Sequence, residues 1–169
     1  MIRRLIVFIF ILSFLLAFYA CEKQPTYSNI PHIEFVSLTK IPNNLGYDDK
    51  GTLEISFTDG DGDIGLSSAD TVPPYDTSSI YYYDFFITYF EKQHGVYTQV
   101  KLPMTNNSRI PIINASLQNK PMHGFIDIEL YINNYFSSYD TIHYTCYIVD
   151  RALHPSNIIT TSDLIINKH

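Results

Sequence analysis

The segment "TLEISF" (Thr52 to Phe57) sets Leu53, Ile55 and Phe57 on one side and Thr52, Glu54 and Ser56 on the other. A period of two is what an extended chain with one buried face requires, because successive side chains of a strand point to opposite faces. "FIDIELYI" and "TIHYTCYIVD" alternate in the same way. Segments near 33–39, 52–58, 82–91, 96–102, 110–114, 124–132, 141–149 and 158–166 are rich in Ile, Val, Tyr, Phe and Thr and read as short strands. Between them fall turn-forming residues: Pro42-Asn43-Asn44, His94-Gly95, Met104 to Ser108, Asn133-Asn134 and Pro155-Ser156-Asn157. No stretch beyond the N-terminal region holds a helical apolar stripe. The expectation is an all-β chain of seven to eight strands folded as a sandwich.

The N-terminus has a different character. Arg3 and Arg4 precede an apolar run from Leu5 to Ala20, broken by Ser13 and Tyr19. This is the charged-then-apolar layout of a secretory signal, and it falls short of the about 20 residues that a spanning helix needs. "FYAC" (Phe18 to Cys21) resembles a bacterial lipoprotein processing site, although such sites usually carry leucine rather than Phe18 and a smaller residue than Tyr19. The resemblance implies lipidation of Cys21, cleavage of residues 1–20, and a membrane anchor of several acyl chains. The alternative is an uncleaved N-terminal anchor. Residues 21–31, polar and holding two prolines, then form a tether, and 32–169 form one domain.

Loss of the signal would remove two of 11 basic residues and no acid, leaving nine against 17 and a net charge of −8. With no basic run, nucleic acid is not an expected partner. If Cys21 is acylated, Cys146 has no disulfide partner, and the core must hold on packing alone.

Within "DTIHYTCYIVD", Asp140, Ile142, Tyr144 and Cys146 stand at alternate positions. This resembles strand F of an immunoglobulin domain, whose tyrosine two residues before the cysteine forms a tyrosine corner. The resemblance implies an immunoglobulin-like sandwich with Tyr144 as the corner residue and Cys146 turned inward as a small apolar filler. The second-strand segment has no cysteine and the chain has no tryptophan, so an antibody-type core is not implied.

"FTDGDGDIGL" (Phe57 to Leu66) carries the densest chemistry. From Gly51 to Glu91 there are eight acids and no Lys or Arg. Carboxylates about 6 Å apart repel by about 0.7 kcal/mol in water and by more where water is excluded, so a bound cation would reverse the sign. "DGDGDIGLSSAD" puts Asp59, Asp61, Asp63 and Asp70 at positions 1, 3, 5 and 12, with the Gly65 carbonyl at 7 and Ser67 at 9. This resembles the calcium loops of EF-hand and dockerin-type modules. It departs from them in having Ile64 at position 6 and a strand rather than a helix before the loop. The expected ligands are Asp59, Asp61, Asp63, Gly65 and Asp70, with Ca²⁺ in a structural role. The competing reading is a metal-free turn, since Asp-Gly pairs are common turn residues.

The pairing of "DGDGDIG" after the strand B candidate with "DRA…SN" after the strand F candidate resembles small Ig-like lipoproteins of Gram-negative bacteria. That resemblance implies a tethered outer-membrane module, with the periplasmic and outer faces both open. Asp150, in "VDRALHPSN", is either a further ligand or the residue that holds its own turn. "YYYDFFITYF" (Tyr81 to Phe90) is aromatic on both faces and reads either as a strand covered on both sides or as a sugar-stacking surface. The six histidines are scattered singly, and no nucleophile elbow, phosphate loop or zinc-protease helix is present. The expected function is therefore non-enzymatic, with protein or glycan contacts through loops or edge strands. The alternatives are a subunit of a surface fibre and a glycan-processing accessory protein or enzyme.

Overall fold

The computed structural model describes residues 26–41, 43–113 and 119–168, together with Arg3. The expected signal segment apart from Arg3, Cys21 and the first part of the expected tether lie outside the described residues. From residue 26 on, the described residues contain no α-helix.

Eight strands follow in chain order: β1 (His32–Ile41), β2 (Lys50–Asp59), β3 (Phe85–Gln93), β4 (Val96–Gln99), β5 (Met122–Tyr131), β6 (Thr141–Ile148), β7 (Ile159–Thr160) and β8 (Leu164–Ile165). One antiparallel sheet has the order β1-β2-β5. The other has β4-β3-β6, with β7 and β8 both pairing with β6. The chain changes sheet after β2, after β4 and after β5, as expected for an immunoglobulin-like β-sandwich.

The alternation seen in the sequence is the burial pattern itself. Leu53, Ile55 and Phe57 are buried from the first sheet and meet Phe85, Tyr89, Ile142, Tyr144, Cys146 and Ile148 from the second. Each fully buried large side chain contributes about 1.5–3 kcal/mol. Tyr144 is fully buried, and its hydroxyl donates to the Tyr131 carbonyl at the end of β5 at 3.2 Å, which is the expected corner bond. Burial pushes the Cys146 thiol up to about 12, so it behaves as an apolar filler.

Two expected strands differ. Residues 110–113 form none, because their backbone is committed elsewhere. The Ile110 amide donates to Asp84 Oδ1 (2.6 Å), its carbonyl accepts from the Leu66 amide (2.8 Å), and Pro111 has no amide hydrogen. The expected 158–166 strand breaks into β7 and β8 at Thr161. There the Thr161 hydroxyl accepts the Tyr144 amide (3.0 Å), taking the place of a ladder carbonyl.

Two asparagines cap the outer strands of the first sheet. Asn157 accepts the Ile33 amide and donates to the Ile33 carbonyl, both at 2.9 Å. Asn106 does the same at Tyr131, at 3.1 and 2.9 Å. Such side-chain pairing satisfies edge groups that would otherwise invite another strand.

The run Tyr81 to Phe90 divides by strand face. Phe85 and Tyr89 enter the core, whereas Phe86 stacks on Tyr147 (centroids 4.9 Å apart, 10° between planes) on the outer face.

Candidate metal site in the loop after β2

Strand pleating places the first candidate ligand. Leu53, Ile55, Phe57 and Asp59 share the inward face, so the last inward position of β2 places a carboxylate in the interior, 0% exposed. The chain then doubles back through Gly60-Asp61-Gly62-Asp63, with Gly62 at φ 66°, a left-handed conformation that favours glycine.

The turn brings Asp59, Asp61 and Asp63 together, with one carboxylate oxygen from each lying within 4.8 Å of the other two. Two oxygens bound to one calcium ion at about 2.4 Å are at most about 4.8 Å apart, so the spacing fits. The Oδ1 atoms of all three are buried and accept no hydrogen bond. The opposite oxygens set the geometry. Asp59 Oδ2 accepts the Asp63 amide (3.0 Å), and Asp63 Oδ2 accepts the Ala152 amide from the β6–β7 turn (3.0 Å).

Burial pushes the Asp59 carboxyl up to about 6, opposed by the Asp63 amide and reinforced by the charges of Asp61, Asp63 and Asp150. Asp63 is raised to about 6, by burial first and then by Asp150 and Asp61. Three buried oxygens with no donor and with mutually repelling charges fit a hard cation. The donor set is all oxygen, which suits calcium or magnesium rather than zinc.

Asp70 and Gly65 lie apart from this cluster. Both Asp70 oxygens meet the Arg151 guanidinium, Oδ2 to Nη1 at 2.8 Å and Oδ1 to Nη2 at 2.9 Å. The Ser67 amide and hydroxyl also bond Oδ2 (2.7 and 2.8 Å). Arg151 and these bonds hold the Asp70 carboxyl far below its ordinary range. The Gly65 carbonyl accepts from Arg151 Nη1 at 3.4 Å. In an EF-hand the residues at positions 7 and 12 close over the ion; here an arginine from the β6–β7 turn draws them off. Gly65 itself, at φ 101°, lies where a Cβ would come 2.6 Å from the Pro111 carbonyl oxygen.

Asp150 is 2% exposed and holds its own turn. Its Oδ1 accepts the His154 amide (2.7 Å), and its Oδ2 lies 3.0 Å from His154 Nδ1. The negative charge still reaches Asp59 and Asp63.

The sequence reading missed Arg109. This side chain collects the carbonyls of Ser67 and Asp70 (both 3.0 Å), Tyr82 (3.3 Å) and Tyr75 (3.5 Å), and stacks over the Tyr82 ring. The second half of the loop is therefore held by two arginines distant in sequence, of which Arg151 pairs with Asp70 and Arg109 collects backbone carbonyls. No signal within the loop announces either partner.

Compared with protein-family models, curated proteins and solved structures, the chain matches none.

Proposed function

We propose that this chain is a calcium-stabilised, immunoglobulin-like module of the bacterial cell envelope, anchored to the outer membrane through Cys21 and without enzymatic activity. The observation that carries the ion is the trio of buried, unpartnered Oδ1 atoms on Asp59, Asp61 and Asp63. Each such group costs about 1–3 kcal/mol to leave unsatisfied, and one cation satisfies all three. The ligand set is these three aspartates. Asp70 and the Gly65 carbonyl brace the loop through Arg151.

The ion's role is structural. It closes the end of the sandwich where the β2–β3 loop meets the β6–β7 turn. The acyl anchor rests on the arginine-led apolar run ending at Cys21. Contact with another macromolecule is assigned to the loops, since Asn157 and Asn106 cap backbone on the outer strands of the first sheet. A glycan is the second candidate partner, favoured by a shallow groove of about 410 Å³ formed by Ile80, Tyr81, Phe86, Tyr147, Val149, Leu153 and Pro155.

Calorimetric titration tests the ion: one calcium per chain is expected, with a higher melting temperature and a weaker response to magnesium. The same melt in calcium and in chelator would remove the metal from the reading. Cys21→Ser, followed by fractionation of the envelope, tests the anchor. Retention of that variant in the membrane would mean that the apolar segment itself holds the chain.

A further inference from the structure

The chain enters the domain across the aspartate loop. Gly60, between two of the three clustered aspartates, donates its amide to the Ser28 carbonyl at 2.7 Å. A Cβ on Gly60 would lie 2.6 Å from the Tyr27 carbonyl oxygen, 2.7 Å from Asn29 Oδ1 and 2.8 Å from the Ser28 carbonyl carbon. The incoming segment thus rests directly on the backbone of the loop, in contact only a glycine permits.

Past this point the chain is fixed independently of the loop, because Asn157 holds both backbone groups of Ile33. Before it, the segment is lightly held. Beyond its packing on Gly60, it makes the Gly60 hydrogen bond and an edge contact between Tyr27 and the His123 ring, with centroids 5.9 Å apart. Its docking therefore depends on the conformation of Gly60.

We propose that the loop is a calcium-operated latch: an ion held by Asp59, Asp61 and Asp63 fixes residues 27–29 against Gly60, and its removal releases them. The inference rests on the aspartates being a calcium site, and two observations beyond their clustering support it. Asp59 is completely buried, and its Oδ1 has no partner. The same short turn supplies both ion ligands and the docking surface, so a change at one is felt at the other. Without the ion, the charges of Asp59, Asp61 and Asp63 repel across two flexible glycines, and the Gly60 amide loses its fixed direction. Binding at either site must strengthen the other by the same factor, and couplings of this kind span about 5- to 150-fold. Residues 27–29 would then be held against the domain with calcium and released without it.

The test uses the full 169-residue chain purified in mild detergent. Calcium binding is first measured by calorimetry. Chymotrypsin cleavage after Tyr27 is then timed in calcium and in chelator, with cleavage after Phe136, on an exposed turn at the opposite end, as the internal standard. Calcium should slow cleavage after Tyr27 by about tenfold or more relative to Phe136. Amide exchange should show matching protection at Gly60. Conversely, Gly60→Ala, which cannot accept the segment, should bind calcium about tenfold more weakly. Should that variant fail to fold, exchange at Gly60 in the wild type decides the matter alone. Calcium binding with unchanged cleavage and exchange would overturn the latch and leave the ion site standing; no calcium binding would overturn both.

Discussion

Replacing Asp59 with asparagine should stabilise the protein in chelator and destabilise it, relative to wild type, in calcium. In the metal-free loop the asparagine carbonyl can still accept the Asp63 amide, now 3.0 Å from Asp59 Oδ2. Its amide nitrogen then takes the Oδ1 position and removes one of the three mutually repelling charges. One buried negative charge disappears.

The magnitude follows from the displaced carboxyl, raised from 3.8 to about 6. Each pKa unit corresponds to about 1.36 kcal/mol, so keeping Asp59 charged near neutral pH costs up to about 3 kcal/mol. Water screening and coupling to Asp63 reduce this to about 1.5 kcal/mol. For a domain of this size that is a rise in melting temperature of about 3–6 °C.

Calcium reverses the order. A hundredfold excess over the dissociation constant adds about 2.7 kcal/mol to wild type, and the variant, short of one anionic ligand, forgoes most of it. Differential scanning calorimetry in chelator and in about 5 mM calcium reads both arms. The sign with pH is fixed as well. Because the folded carboxyl is raised, its penalty is fully present above about 6 and gone below the ordinary 3.8. Metal-free wild type should therefore gain stability as pH falls from 7 towards 4, and the gap to the variant should close. An asparagine variant less stable than wild type in chelator at neutral pH would refute the reasoning, since the charge would then be satisfied by the protein itself.

Glu91, fully buried at the opposite end, accepts from Tyr89 (3.1 Å), Asn134 (2.9 Å), Gln93 (3.1 Å) and Ser137 (2.7 Å). Glu91→Gln puts a donor against donors and should cost about 2 kcal/mol by urea denaturation. Burial alone would raise the Glu91 carboxyl, but bonds led by Ser137 and Asn134 hold it below 4.5. Its stabilisation is thus present above 4.5 and lost as pH falls through the lower folded value, a loss absent from the glutamine variant. Tyr144→Phe removes the corner bond to the Tyr131 carbonyl and should lower stability by about 1 kcal/mol with the fold retained by circular dichroism. Asp70→Asn breaks the two-pronged pair with Arg151 and should cost about 1 kcal/mol, yet shift calcium affinity by less than about threefold. A loss of affinity as large as that of Asp61→Asn would return Asp70 to the ligand set.

Much of the sandwich was legible because alternation and burial are one fact seen twice: Leu53, Ile55 and Phe57 had to point one way, and they do. The tyrosine corner was legible for a similar reason, since the spacing of Tyr144 and Cys146 fixes which face both occupy. What could not be read depended on partners far along the chain. Ile110 looks like strand sequence, but its amide belongs to Asp84 and its carbonyl to Leu66. Asp70 has the spacing of a calcium ligand, but a guanidinium 81 residues away claims it. Local pattern states what a residue can do, and tertiary contact decides which of its options is used.

The same logic explains why the proposed ion site rests on the triplet rather than on the longer motif. Asp70 is an acid whose charge the protein answers twice over, with a fork of arginine donors and a serine. Asp150 is likewise answered by the His154 amide and ring. Asp59, Asp61 and Asp63 differ: the fold shields one oxygen of each from water and offers none of those three a donor, and although Asp84 Oδ2 is shielded in the same way, only the three are clustered. Arg109 and Arg151 pass close by and spend their donors on Ser67, Asp70, Tyr75, Tyr82 and Gly65. A loop that pairs Asp70 with Arg151, fixes its second half through Arg109, and gives the first three aspartates no side-chain cation among the described residues has divided its acids into a braced arm and an open socket. The glycines agree with that division. Gly65 lets the braced arm lie against Pro111, and Gly60 lets the incoming chain lie on the socket. A cation bound there would therefore act on the part of the loop that no side-chain cation among the described residues reaches.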